Sequence, residues 1–246
     1  CDPIAEDGVE ALRRAGADVD VRTGLSPEEL KAVVDVYDAL VVRSETKITR
    51  DIIAAAGKLQ VVGRAGVGVD NIDLDAATEK GVVVVNAPTG NIISAAEHAI
   101  ALMLALSRHI PAANASLRSG KWERSRFLGL EVRGKTLGVI GLGQVGSEVA
   151  RRAKGLEMRV IAFDPFVPEE RARVLGVDLV SKGQLLKESD FVTVHTTLTE
   201  GTKSLLGEDE LRSMKPTARI INTARGGIVD EAALEKALRE GWIAGA

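Results

Sequence analysis

One short stretch, Gly141-Leu-Gly143-Gln-Val-Gly146, constrains this chain more than any other, because of what surrounds it. Alone, a G-x-G-x-x-G pattern occurs in many unrelated turns. Here it follows the apolar, β-prone run Thr136–Ile140 and opens into a helix-like segment over residues 147–154. The chain returns to apolar residues over 158–163 and reaches Asp164, 23 positions after Gly141. Strand, turn, helix, strand and acid, in that order, form the fingerprint of a dinucleotide site. Gly141 permits the tight turn, Gly143 lets backbone approach a pyrophosphate, and Gly146 lets helix and strand pack closely. The helix start offers N–H donors to the phosphates. Asp164 suits a ribose diol and would repel a 2′-phosphate, so the pattern selects NAD over NADP.

The rest of the composition fits such a fold. A chain of 246 residues has room for one large or two modest domains. Its apolar content is 45% with only 3% aromatics, a mix suited to buried parallel strands under Ala-rich helices. The net charge of −3 is built from interspersed acids and bases, which argues against a nucleic-acid or membrane surface. No apolar run approaches the roughly 18 residues that a membrane span needs. The single cysteine, Cys1, rules out a disulfide framework and suits a reducing cytoplasm. Cys1-Asp-Pro3 reads as the turn after a strand, and residues 241–246 stop in mid-element. Both ends therefore read as cuts in a longer protein.

Pattern and punctuation divide the chain into an α/β unit over 1–88 and a second over 89–246. In the first, helices are expected over 6–15, 27–34 (capped by Ser26) and 49–56, with strands at 18–21, 39–42, 59–62 and 82–85. Ser94-Ala-Ala-Glu97 reads as a capping box opening a nearly uncharged helix over 95–107. A helix apolar on most faces must be buried on most faces, between domains or against another subunit. Pro111 interrupts it, a second helix runs to 117, and a polar excursion covers 120–134. Strands are then expected at 136–140, 158–163, 190–194 and 218–222, with helices at 143–154, 181–188, 208–213 and 230–240. The fold class is α/β: a Rossmann-type doubly wound parallel sheet plus a smaller, flavodoxin-like substrate-binding domain.

Ligands of an open parallel sheet sit beyond the carboxyl ends of its strands. By that rule Arg225, after the strand ending near Ile221, is the leading catalytic candidate, since a guanidinium grips a carboxylate through paired hydrogen bonds. His195 ends the preceding strand; it reads as a nucleotide-side contact or a plain strand-end histidine rather than as the catalytic base. His98 and His109 read as packed or partly exposed residues of the apolar helix. No His, Cys and carboxylate cluster has metal-ligand spacing, so no metal is expected. In the first unit, Arg43-Ser44 and Arg64-Ala65-Gly66 follow neighbouring strands and suggest an anion pocket for substrate. Gly63-Arg-Ala-Gly-Val-Gly68 lacks the spacing and the downstream acid of a second nucleotide fingerprint.

These blocks, together with Val69-Asp-Asn-Ile-Asp73, Asn86-Ala-Pro, Gly120-Lys-Trp-Glu-Arg124 and Asn222-Thr-Ala-Arg-Gly-Gly-Ile-Val-Asp-Glu231, resemble the D-isomer-specific 2-hydroxyacid dehydrogenases along the whole chain. The resemblance implies NAD-dependent oxidation of a phosphorylated 2-hydroxy acid, D-3-phosphoglycerate, to its 2-oxo acid in serine synthesis. It implies that Gln144, Val145, Asp164, Thr196, Thr223 and Ala224 touch NAD and that Val67 lies near the nicotinamide. Arg225 becomes the catalytic arginine, with Arg43, Arg64 and Asn91 on the substrate side. Residues 91–125, including Trp122-Glu-Arg124, would join a homodimer or tetramer. The family's catalytic histidine and its paired glutamate would fall after residue 246, so this chain is expected to bind NAD weakly and turn over negligibly. The rival readings are a sister enzyme acting on hydroxypyruvate, glyoxylate or D-lactate, and an NAD-responsive, corepressor-like binding protein. A purely structural scaffold is disfavoured by the phosphate-cradling glycines.

Overall fold

A computed structural model describes residues 1–246, which form two compact units, Cys1–Asn91 and Ile92–Ala246. In the first, three parallel strands, β1 (Ala39–Val42), β2 (Val61–Arg64) and β3 (Val83–Asn86), lie in the order 1-2-3. Four helices accompany them: α1 (Glu6–Arg14), α2 (Pro27–Val33), α3 (Arg50–Ala55) and α4 (Leu74–Lys80). Ser26 starts α2 through a complete capping box, its hydroxyl accepting the Glu29 N–H while the Glu29 carboxylate accepts that of Ser26. Leu40, Val42 and Val62 pack one sheet face onto Leu30, Ile52, Ile53 and Ala77. Val83 and Val85 leave β3 exposed on the other face.

Two expectations for this unit need correction. Residues 18–21 are irregular, not a strand. A strand needs a ladder partner for its backbone groups, and β1 pairs only with β2. Asp20 instead accepts hydrogen bonds from the Tyr37 hydroxyl and Arg22. The strand expected at 59–62 begins two residues later, because Leu59 still belongs to the turn after α3, its N–H bonded to the Ala56 carbonyl. Arg64 is therefore the last residue of β2 rather than a residue beyond it. The register pairs Val42 with Arg64 and Arg64 with Asn86, so the three strands end level.

The second unit begins with α5 (Ile92–Ser107) and α6 (Ile110–Arg118). It continues through β4 (Thr136–Ile140), α7 (Gln144–Gly155), β5 (Arg159–Phe163), α8 (Glu169–Leu175), β6 (Asp178–Leu179) and α9 (Lys182–Glu188). β7 (Phe191–Val194), α10 (Glu208–Ser213), β8 (Arg219–Asn222) and α11 (Glu231–Glu240) complete it. The five strands are parallel in the order β6-β5-β4-β7-β8, which is 3-2-1-4-5 counted from β4. Helices cover both faces. Ala96, Ala99, Met103, Val149 and Ala153 pack on one; Leu185, Leu186, Leu211 and Ala237 pack on the other. All five residues of β4 are buried, which explains its unbroken apolar run.

α8 and the two-residue β6 escaped the sequence reading. The Ser94 capping box is also corrected: α5 starts at Ile92, so Ser94 lies inside its first turn and Glu97 instead meets Arg152. The α5 residues buried in this chain are Ala96, Ala99, Met103 and Ser107, a single stripe at helical spacing. Ile93 and Leu102 on other faces remain exposed. Pro111 opens α6 rather than breaking a helix, after His109 turns the chain with a positive φ of 52°.

Candidate functional site

The strand order reverses between β4 and β7, and in open parallel sheets the carboxyl ends at such a reversal are where ligands bind. Gly141 leaves β4 with φ +90°, its N–H bonded to the Phe163 carbonyl. A Cβ on Gly141 would lie 2.7 Å from the His195 carbonyl oxygen, so only glycine lets the turn sit against the end of β7. A Cβ on Gly146 would lie 2.0 Å from the Gly141 carbonyl oxygen, which is how closely α7 approaches the strand. Gly143 is exposed, and a Cβ there would meet nothing within 4 Å. Gly143 is the N-cap of α7 and caps it with no side chain, and no acid occupies the first turn. The N–H groups of Gln144, Val145 and Gly146 therefore remain for an anion, with Gln144 exposed and Val145 half-buried. This uncapped helix start beside a glycine with open space fits a pyrophosphate.

Asp164 follows β5, as the fingerprint requires, but it also has a structural task that sequence reasoning missed. One carboxylate oxygen accepts the Leu142 N–H at 2.8 Å, which ties the acid to the glycine turn. The other accepts the Phe166 and Val167 N–H groups at 2.9 and 3.2 Å. A carboxylate has about four lone-pair positions, so capacity for a ribose hydroxyl remains.

His195 and Thr196 follow β7 and are half-buried. The His195 Nε2 lies 2.8 Å from the Thr193 hydroxyl, and burial pushes the imidazole pKa down to about 4. The ring is therefore neutral near pH 7, in keeping with a contact residue rather than a proton-cycling base. Past β8, the Thr223 hydroxyl is buried without a hydrogen-bond partner, and Ala224 and Arg225 are half-buried beside it. An unpaired buried hydroxyl beyond a strand's carboxyl end is what a bound polar ligand would satisfy.

The Arg225 turn is closely held. Asn222 accepts the Ala224 N–H at 3.0 Å and donates to the Arg225 carbonyl at 2.9 Å. Arg225 Nη1 donates to the Ala224 carbonyl at 2.8 Å. Glu231 accepts the Gly227 N–H at 3.0 Å, while Ser204 donates to the Gly227 carbonyl at 2.8 Å. A short parallel bridge between Leu206 and Val229 extends that link between the loops after β7 and β8.

In the first unit the two arginines occupy unlike settings. Arg43 is exposed, with Nη1 3.4 Å from the Pro3 carbonyl. Its backbone N–H is held by buried Asp2, which also accepts from the N–H and hydroxyl of Thr46. Burial alone would raise the Asp2 carboxyl, but those hydrogen bonds outweigh it and hold the pKa below the usual carboxylate range. Arg64 is buried, and its Nε has no partner. Its guanidinium folds over its own turn so closely that a Cβ on Gly66 would lie 1.8 Å from Nη1. Ser44, Ala65 and Asn91 are exposed, and Val67 is half-buried.

Two asparagines inside the family-like blocks, to which the sequence assigned no role of their own, staple these turns. Asn71 donates to the Arg43 and Thr46 carbonyls, both at 2.7 Å. Asn86 donates to the Val67 carbonyl at 2.6 Å. Asn86 and Asn222 are each the last residue of a strand, and that position was the available signal. No group of His, Cys, Asp and Glu side chains in this chain has metal-binding geometry.

Fold and turn together define a dinucleotide-binding unit of the dehydrogenase type. Residues 100–246 match the family model described as D-isomer specific 2-hydroxyacid dehydrogenase, NAD binding domain. The chain belongs to the D-isomer-specific 2-hydroxyacid dehydrogenase family, and NAD is the cofactor of this domain. It is 56% identical over 245 residues to a D-3-phosphoglycerate dehydrogenase of Archaeoglobus fulgidus, covering 100% of this chain and 46% of that protein. It is 54% identical to a chloroplastic D-3-phosphoglycerate dehydrogenase of Arabidopsis thaliana, covering 98% of this chain and 39% of the relative. Among solved structures, a D-lactate dehydrogenase of Aquifex aeolicus complexed with NAD and lactic acid superposes with a TM-score of 0.87 at 28% identity. That superposition covers 98% of this chain and 73% of the other. The chain spans about half the length of the curated relatives it matches.

Proposed function

We propose that the protein to which these residues belong oxidises D-3-phosphoglycerate to 3-phosphohydroxypyruvate with NAD as hydride acceptor, as part of serine synthesis. The observation that carries this reading is whole-chain identity above half to D-3-phosphoglycerate dehydrogenases, coupled to Arg225 held at the carboxyl edge of the nucleotide sheet. Bound NAD supplies the hydride acceptor, the nicotinamide C4. The first turn of α7 binds its pyrophosphate through the N–H groups of Gln144, Val145 and Gly146. Asp164 accepts a ribose hydroxyl, and Thr196, Thr223 and Ala224 line the remainder. His195 serves as a neutral contact, and Val67 borders the nicotinamide.

Arg225 grips the substrate carboxylate through two parallel hydrogen bonds and fixes the orientation of C2, a positioning effect that can lower the barrier by several kcal/mol. Arg43, Ser44, Arg64, Ala65, Gly66 and Asn91 give residues 1–88 their role as the substrate-binding domain, recognising the phosphorylated end.

We further propose that residues 91–125 form the contact of a homodimer or tetramer. Ile93, Leu102, Ile110, Leu117 and Trp122 are all exposed there, a concentration of apolar surface that a subunit contact would bury. A cytoplasmic setting suits this enzyme; no helix is long and apolar enough to cross a membrane.

Assay of the full-length protein against D-3-phosphoglycerate, hydroxypyruvate, glyoxylate and D-lactate tests the substrate. Preference for the phosphorylated acid by kcat/KM is the expected result, and preference for an unphosphorylated acid would contradict it. Replacing Arg225 by Ala should lower kcat/KM by about a hundred-fold or more, with NAD affinity largely retained. Equal loss of both would make Arg225 structural.

A further inference from the structure

The Arg225-Gly226-Gly227 turn contains two consecutive glycines, the residues with the greatest backbone freedom, and Gly227 has φ +78°. Left to itself, such a turn would let the arginine sample many directions. Two side chains from outside the turn remove that freedom. Asn222, the last residue of β8, spans Ala224 and Arg225, accepting from one N–H and donating to the other residue's carbonyl. Glu231, the first residue of α11, takes the Gly227 N–H, and its carboxylate oxygen lies 3.3 Å from where a Cβ on Gly226 would be. Both side chains are exposed, so their hydrogen bonds add little to stability. Their effect is geometric. An amide at position 222 both donates and accepts, which neither a carboxylate nor an aliphatic side chain of that size can do.

We propose that Asn222 and Glu231 are positioning residues for Arg225, fixing the direction in which its guanidinium leaves the turn and so the orientation of the substrate carboxylate. The proposal rests on the reading of Arg225 as the carboxylate grip. The glycines make room for the ligand, and the two flanking side chains supply the rigidity that the glycines lack.

The test uses the full-length protein with Asn222→Ala, Asn222→Asp, Glu231→Ala and Glu231→Gln, each alone and combined with Arg225→Ala. Steady-state kinetics with the hydroxy acid give kcat and KM, titration calorimetry gives NAD affinity, and thermal melts give Tm. Asn222→Ala and Asn222→Asp should each lower kcat/KM by about ten-fold or more while NAD affinity and Tm stay near wild type. Glu231→Gln keeps an acceptor oxygen and should rescue most of what Glu231→Ala loses. On the Arg225→Ala background, Asn222→Ala should cost nothing more, since the group it positions is gone. Undiminished kcat/KM in Asn222→Ala would overturn the proposal. So would losses that simply add on the Arg225→Ala background, or losses that track Tm and NAD affinity. If Arg225→Ala itself keeps normal kcat/KM, the reading of Arg225 falls instead, which separates the two failures.

Discussion

Two glycine-rich turns leave the carboxyl ends of parallel strands in this chain, and they use their glycines for opposite purposes. The turn over 141–146 opens a 12-residue helix with no side-chain cap, so its N–H groups face outward toward a phosphate. The turn over 63–68 opens no helix, and several of its backbone groups are bonded within the first unit. Ala65 N–H goes to the Val42 carbonyl and Gly66 N–H to the Arg64 carbonyl. The Gly66 carbonyl takes the Ala87 N–H, and that of Val67 takes the Asn86 amide. The space that Gly66 leaves is filled by Arg64. Glycine spacing alone does not make a nucleotide site; an uncapped helix start directly after the glycines does.

The largest effect expected from this contrast is at Gly146. Gly146→Ala sets a methyl 2.0 Å from the Gly141 carbonyl oxygen, an atom of the backbone that cannot swing away. Helix α7 would have to move off β4, with a stability loss of about 3 kcal/mol or more and loss of most NAD affinity, readable by denaturant melts and calorimetry. Stable folding with normal NAD affinity would break the comparison.

Next in size is a pH effect at the end of β7, where His195 abuts the Gly141 turn. Burial lowers its pKa from 6.5 to about 4, so as pH falls the unfolded chain takes up the proton first. The stability this group contributes is present above pH 6.5 and is lost as pH falls toward 4, on the order of 2–3 kcal/mol in all. The stability difference between wild type and His195→Asn, measured from pH 7 down to pH 4, should change across that window. A difference independent of pH would show that the imidazole is not held neutral.

Gly66→Ala should act more gently. The new methyl meets the far end of a flexible arginine, so the fold tolerates it and Arg64 swings out. KM for the hydroxy acid should rise about ten-fold while Tm stays within a few degrees of wild type. Unchanged KM would mean that the folded-back arginine takes no part in substrate recognition.

How legible this was in the sequence differed between the two turns. The 141–146 turn, its strand and its acid could be read directly because each carries a local pattern: an apolar run, glycines at fixed spacing, an acid after the next strand. What lay hidden was side-chain work across sequence distance. Asp164 holds Leu142, Asn86 holds Val67, and Asn71 holds Arg43 and Thr46. Such bonds depend on which strand ends become neighbours, and that is a property of sheet order rather than of spacing. The irregular 18–21 segment failed for the same reason: its alternation suggested a strand, but pairing decides whether a strand forms. Ser94 misled because a capping box is a pattern of residue types, whereas the turn at 87–91 sets where α5 begins.

NAD titration of the full-length protein carrying Gly143→Ala, beside the same titration of Gly66→Ala, tests the central claim most directly. A methyl at position 143 enters open space, so the fold should not notice it, yet it should occupy the room the pyrophosphate needs. The expected result is NAD affinity weakened about ten-fold in Gly143→Ala and unchanged in Gly66→Ala. Full affinity in Gly143→Ala, or a loss in Gly66→Ala instead, would contradict the assignment of the cofactor to the second turn.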